Sequence, residues 1–149
     1  LGAVTVAAPA LARLVAAPVD YLTSQLGFSR NVLAFRLRLA SGVPTGRGAA
    51  LEIRGGEGLR GSQLACRPTA LTGESLPLPL DLGCKVGSDA VGAPYLLLLP
   101  VSVPLEPGFY ALEVQASNPP VAPSVGSVDW TVSTFYDAAD PFARTPIDA

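Results

Sequence analysis

The clearest pattern in the chain is a strict alternation over residues 31–40, where Leu33, Phe35, Leu37 and Leu39 fall on one side and Arg36 and Arg38 on the other. Successive side chains of an extended strand point to opposite faces, so this stretch predicts a strand with one buried face. A turn-rich connector at 41–48 leads to a second alternating stretch, 50–54, which Gly55-Gly56 ends. Residues 62–67 fit a short strand. Residues 95–103 are almost continuously apolar, as in a central strand, and Pro100 and Pro104 break the run well short of the roughly 18 residues a membrane span needs. Tyr110, Leu112 and Val114 share one face of 108–116, while Val128, Trp130 and Val132 share one face of 127–135. Between these strands, residues 68–94 contain Pro68, Pro77, Pro79 and Pro94 and read as a long irregular excursion, because proline cannot donate to a ladder. Only 10–17 and 20–26 have helix-compatible composition, and both are too short to be more than packed turns. The expected fold is all-β: an antiparallel sandwich over residues 1–136 with an irregular insertion at 68–94, followed by a tail at 137–149.

Composition removes most catalytic chemistry. The 149 residues include 15 Gly and 15 Pro, no His and no Met, and the one lysine is Lys85. Without histidine the chain cannot build a Ser-His-Asp triad, a Cys-His dyad or a His-ligated metal site. Residues 56–61, Gly-Glu-Gly-Leu-Arg-Gly, match G-x-G-x-x-G after a strand, but Pro68 follows too soon for the helix whose N-terminus would meet a pyrophosphate, so a glycine-rich turn is expected. Asp129, Asp137 and Asp140 are the densest acids and lack the regular spacing of a calcium loop. A net charge of −2 and a single Arg54-Gly55-Gly56 without interleaved aromatics exclude nucleic acid as the expected partner. No enzyme activity, cofactor or metal is expected. Cys66 and Cys84 flank the proline-rich excursion; they predict a disulfide that contributes about 3 kcal/mol by closing the loop, the alternative being two reduced, buried thiols. There is no N-x-Ser/Thr acceptor, which leaves Pro119, Pro120, Pro123 and Ser124 as candidates for proline- or serine-linked sugar.

Pro107-Gly-Phe-Tyr-Ala-Leu112 carries a Gly-x-Tyr-x-apolar step into the penultimate strand, the form the tyrosine corner takes in immunoglobulin-like sandwiches, with Tyr110 as the corner residue. An ordinary half-buried strand tyrosine is the alternative. Leu112 stands where an antibody domain has its second core cysteine, so that subtype is not expected. Together with Asn31-Val-Leu-Ala-Phe-Arg-Leu-Arg-Leu, Val43-Pro-Thr-Gly, Ala50-Leu-Glu-Ile and Val128-Asp-Trp-Thr-Val-Ser-Thr-Phe-Tyr-Asp, this segment resembles one unit of the immunoglobulin-like repeats in very large surface proteins of algae and other protists, over residues 31–137. The resemblance implies an extracellular module of a tandem chain or filament, of the flagellar-hair or cell-coat kind, with no catalytic residue to carry over. The second functional class is a carbohydrate- or cell-binding adhesion module, which needs exposed rings; the sole tryptophan, Trp130, lies on the face assigned to the core.

The charge is unevenly distributed. Residues 1–67 hold eight arginines and three acids, a net of +5, and residues 68–149 hold two bases and nine acids, a net of −7. Either the two halves interleave in the fold and their charges mix, or they form opposite ends and modules associate head to tail into a filament. In that arrangement Phe142 and Ile147 of the tail anchor in a neighbouring copy, and its acids face Arg36 or Arg38; the alternative is a tail docked on its own domain. Partners are then neighbouring copies or adjacent domains, with glycan as a further candidate and no membrane insertion.

Overall fold

The computed structural model describes residues 3–4, 15–16, 20–21, 31–46, 48–119, 129–136 and 147. Among these the fold is all-β, built of two antiparallel sheets packed face to face. The first sheet contains β1 (Ala3–Val4), β5 (Ala50–Gly55), β8 (Gly83–Ser88), β9 (Pro94–Leu99) and β11 (Trp130–Phe135), in the order β1-β11-β5-β9-β8. The second is centred on β4 (Asn31–Leu39) and β10 (Gly108–Ser117). Its margins are two-residue pieces: β2 (Val15–Ala16) and β3 (Asp20–Tyr21) lie beside β4, and β6 (Gln63–Leu64) and β7 (Thr69–Ala70) beside β10.

The alternation of β4 determines how it packs. Leu33, Phe35, Leu37 and Leu39 are buried, Arg36 is half-buried and Arg38 is exposed. Opposite it in register, Tyr110 pairs with Leu37, Leu112 with Phe35 and Val114 with Leu33, so three core positions of β10 meet three of β4. From the other sheet Leu51, Ile53, Leu96, Leu98 and Val132 close the same core. Trp130 packs against its rim with its ring edge-on to Phe35, centroids 5.7 Å apart and planes at 85°. Burial of a Leu or Phe side chain contributes about 1.5–3 kcal/mol, which makes this shared layer the main stabilising element.

Two expectations require correction. The 68–94 segment is not irregular throughout, because β8 pairs with β9 along its whole length. Among the described residues it is an edge strand, hydrogen-bonded to β9 alone, and its sequence Gly-Cys-Lys-Val-Gly-Ser lacks an apolar stripe. The helix-compatible stretches 10–17 and 20–26 contribute β2 and β3, short extended pieces bonded to β4. Of the two arrangements open to the charged halves, the described strands show the interleaved one. First-half strands β4 and β5 lie against second-half strands β10, β11 and β9, which mixes the charges within each sheet.

Candidate functional site

The Cys66–Cys84 disulfide is present, with Cα atoms 5.7 Å apart. Cys66 follows β6 and Cys84 lies in β8, so the bond fastens the margin of one sheet to the edge strand of the other. Next to β6, Ser62 donates its hydroxyl to the carbonyl of Ser117, and the hydroxyl of Ser117 accepts from Gln63 N–H at 2.9 Å. The staple therefore closes one open side of the sandwich. Residues 57–59 form a single 3-10 turn ending at Gly61 in the left-handed region, a glycine-rich turn with no helix behind it.

Tyr110 is buried, and its hydroxyl donates to the carbonyl of Glu106, four residues upstream, at 2.7 Å. The bond holds the chain as it turns into β10. Burial raises the Tyr110 phenol above its ordinary pKa, the charge of Glu106 adds to the rise, and the hydrogen bond opposes it. Beside this corner is a shallow apolar groove of about 380 Å³, walled by Leu76, Pro77, Leu78, Pro79, Val103 and Pro104. Glu106 supplies its polar margin, and Tyr110 borders it with its hydroxyl engaged at the Glu106 carbonyl.

A second cluster lies on the outer face of the first sheet, and the sequence reading did not single it out. Glu52 is buried, and its two oxygens accept from Nε and Nη2 of Arg54 at 3.1 and 3.2 Å. Nη1 of Arg54 donates to Asp89 at 2.8 Å, and the guanidinium lies over the Tyr95 ring, 5.2 Å from its centroid. Asp89 uses its other oxygen to accept from the N–H groups of Val91 and Ala93. Desolvation pushes the Arg54 pKa down, but the bonded carboxylates of Glu52 and Asp89 outweigh it and leave the value above the ordinary one. This network fastens β5 to the β8–β9 hairpin. The legible part of the signal is Glu-x-Arg on one strand, which places both side chains on one face; Asp89 is 35 residues from Arg54 and only the fold brings it in.

Of the residues expected at an assembly contact, Arg36 and Arg38 share one face of β4. Arg36 reaches Glu74 of its own chain at 3.8 Å, and Arg38 is exposed on β4 opposite Val15. Phe142 lies outside the described residues. Ile147 packs half-buried against the core of its own domain, and its N–H donates to the carbonyl of Thr134 at 3.0 Å. Among the described residues no three His, Cys, Asp or Glu side chains come together as a metal site, and no helix is long and apolar enough to cross a membrane. Comparison with protein-family models, with curated proteins and with solved structures finds no match to this chain.

Proposed function

We propose that this domain is a non-catalytic structural module of an extracellular assembly, of immunoglobulin-like type, that associates with neighbouring modules. The observation that carries the reading is the Cys66–Cys84 bond between the two sheets, since disulfides of this kind persist in oxidising compartments and are rare in reducing ones. The immunoglobulin-like type is supported by the strand pairing. The chain crosses between sheets from β4 to β5 and again from β10 to β11, with β4 against β10 and β5 against β11, as strands B and E and strands C and F lie in that fold. By the same correspondence Tyr110 makes its corner bond from the strand in the place of E, whereas the corner of immunoglobulin domains belongs to F.

The charged cluster supports a structural role. Glu52, Arg54 and Asp89 are bonded to one another and to the backbone, which leaves them poorly suited to exchange protons with a substrate. Trp130 meets Phe35 edge-on at the core rim, which weighs against a sugar-stacking platform built on that ring.

Lys85 gives a direct test. It is the one lysine of the sequence and is exposed on β8, so a membrane-impermeant amine reagent has a single side-chain target. Intact cells that make the protein are treated, and the peptide containing Lys85 is read by mass spectrometry. Modification on intact cells is expected. Modification only after gentle, non-denaturing lysis would place the domain behind a membrane and contradict the reading.

A further inference from the structure

The four sheet margins are not alike. Among the described residues those formed by β1, by β2 with β3, and by β6 with β7 consist of two-residue pieces, whereas β8 presents a continuous six-residue edge. Short strands blunt an edge against pairing with another chain, and a long flat one invites it. Lys85, Val86, Gly87 and Ser88 are all exposed, Val86 at 38%.

The hydrogen-bond phase of this edge follows from its hairpin. Asp89 N–H donates to the Ala93 carbonyl at 2.9 Å, which makes Asp89 and Ala93 a hydrogen-bonded pair. Bonded and non-bonded pairs alternate along an antiparallel ladder. In the register that sets Ser88 opposite Pro94, Gly87 opposite Tyr95 and Val86 opposite Leu96, the bonds to β9 fall on Gly83, Lys85 and Gly87. Pro94 agrees, because it has no N–H and stands at a non-bonded position. The N–H and C=O groups of Cys84, Val86 and Ser88 therefore point away from β9, off the edge of the sheet.

We propose that β8 is a homotypic docking edge, on which a second copy of this chain pairs antiparallel about a two-fold axis at Val86 and joins the two five-stranded sheets into one. In that register Val86 faces Val86, and Cys84 faces Ser88 of the second copy. Every outward group of the three residues then finds a partner. Lys85 lies diagonal to Asp89 of the second copy, within reach of a long side chain. Asp89 belongs to the cluster with Glu52 and Arg54, whose formal charge of −1 matches the one positive charge of Lys85. Sliding the pairing by two residues one way sets Lys85 against Lys85; sliding it the other way shortens the overlap and brings the hairpin turn into the ladder. This inference deepens the assembly reading by naming the partner and the surface.

Sedimentation velocity between about 10 μM and about 1 mM, with amide exchange measured by NMR at both ends of the range, tests it. Dimerisation is expected, with concentration-dependent protection of the Val86 and Ser88 amides, while Lys85 and Gly87 amides are protected at all concentrations by β9. Val86→Pro removes an outward N–H without touching the β8–β9 ladder, and is expected to weaken the dimer on the order of a hundredfold through loss of the two central bonds. Should that variant misfold, Lys85→Glu places like charges beside Asp89 and is expected to weaken association about tenfold. A monomer throughout overturns the docking edge and leaves the extracellular reading to the Lys85 labelling. A dimer that both variants form undiminished, or that protects no outward amide, overturns the edge and assigns association to another surface.

Discussion

At the scale of single residues, Tyr110 joins chain geometry to stability. Its hydroxyl bond to Glu106 is a buried contact of the kind that contributes about 1 kcal/mol, so Tyr110→Phe is expected to lower stability by roughly that amount in urea denaturation at neutral pH. The same side chain predicts a pH dependence. Its phenol is raised in the folded state, so the stability it contributes is complete below the unfolded value of about 10 and is lost as pH rises through the folded value. Tyr110→Phe should therefore flatten part of the alkaline fall in unfolding free energy; an unchanged slope above about pH 10 would remove Tyr110 from that account. Gly42 illustrates a different constraint. A Cβ there would lie 2.5 Å from the carbonyl oxygen of Leu105, inside the bridge in which Val43 and Leu105 exchange two backbone bonds of 2.9 Å. Gly42→Ala is expected to cost about 2 kcal/mol or more, because the obstacle is backbone and cannot rotate aside; a Tm within about one degree of the parent would contradict that.

At the scale of elements, the β8–β9 hairpin depends on Asp89. Its carboxylate caps the turn through Val91 and Ala93 and holds Arg54, so Asp89→Ala leaves two backbone donors and a half-buried guanidinium short of partners. A loss of about 2–3 kcal/mol is expected, with amide protection falling first in 83–99; uniform loss across both sheets would mean that the hairpin is not a separate unit. Breaking the staple with Cys66→Ala and Cys84→Ala is expected to cost about 3 kcal/mol, read as a shift of the urea midpoint that reductant then no longer changes. What could be read from sequence follows the same physics. Strands β4, β5, β9, β10 and β11 were legible because each sends apolar side chains into the common core, and burial imposes a period of two or a continuous apolar run. Edge strand β8 was not, since a strand supported on one side has no need of that pattern, and the prolines around it mimic a loop. The disulfide was legible because only two cysteines exist. Glu52 was not, because a buried carboxylate at a polar position of the alternation takes part of its meaning from Asp89, which is distant in sequence.

At the scale of the whole molecule, the described strands of the basic half alternate with those of the acidic half, so among the described residues the charges mix within each sheet. The described strands do not separate the halves into two ends, and Ile147 lies on the core of its own domain. Association through a strand edge needs neither opposite ends nor a tail anchor. It rests on backbone groups that β9 leaves directed outward, and it requires only that a second copy present the same edge. The central claim is that the domain serves as an extracellular building element, and immunogold electron microscopy on unpermeabilised cells tests it most directly. Antibody against the folded domain is expected to decorate surface filaments or coat. Gold confined to the interior of sectioned cells, with bare surfaces, would contradict it.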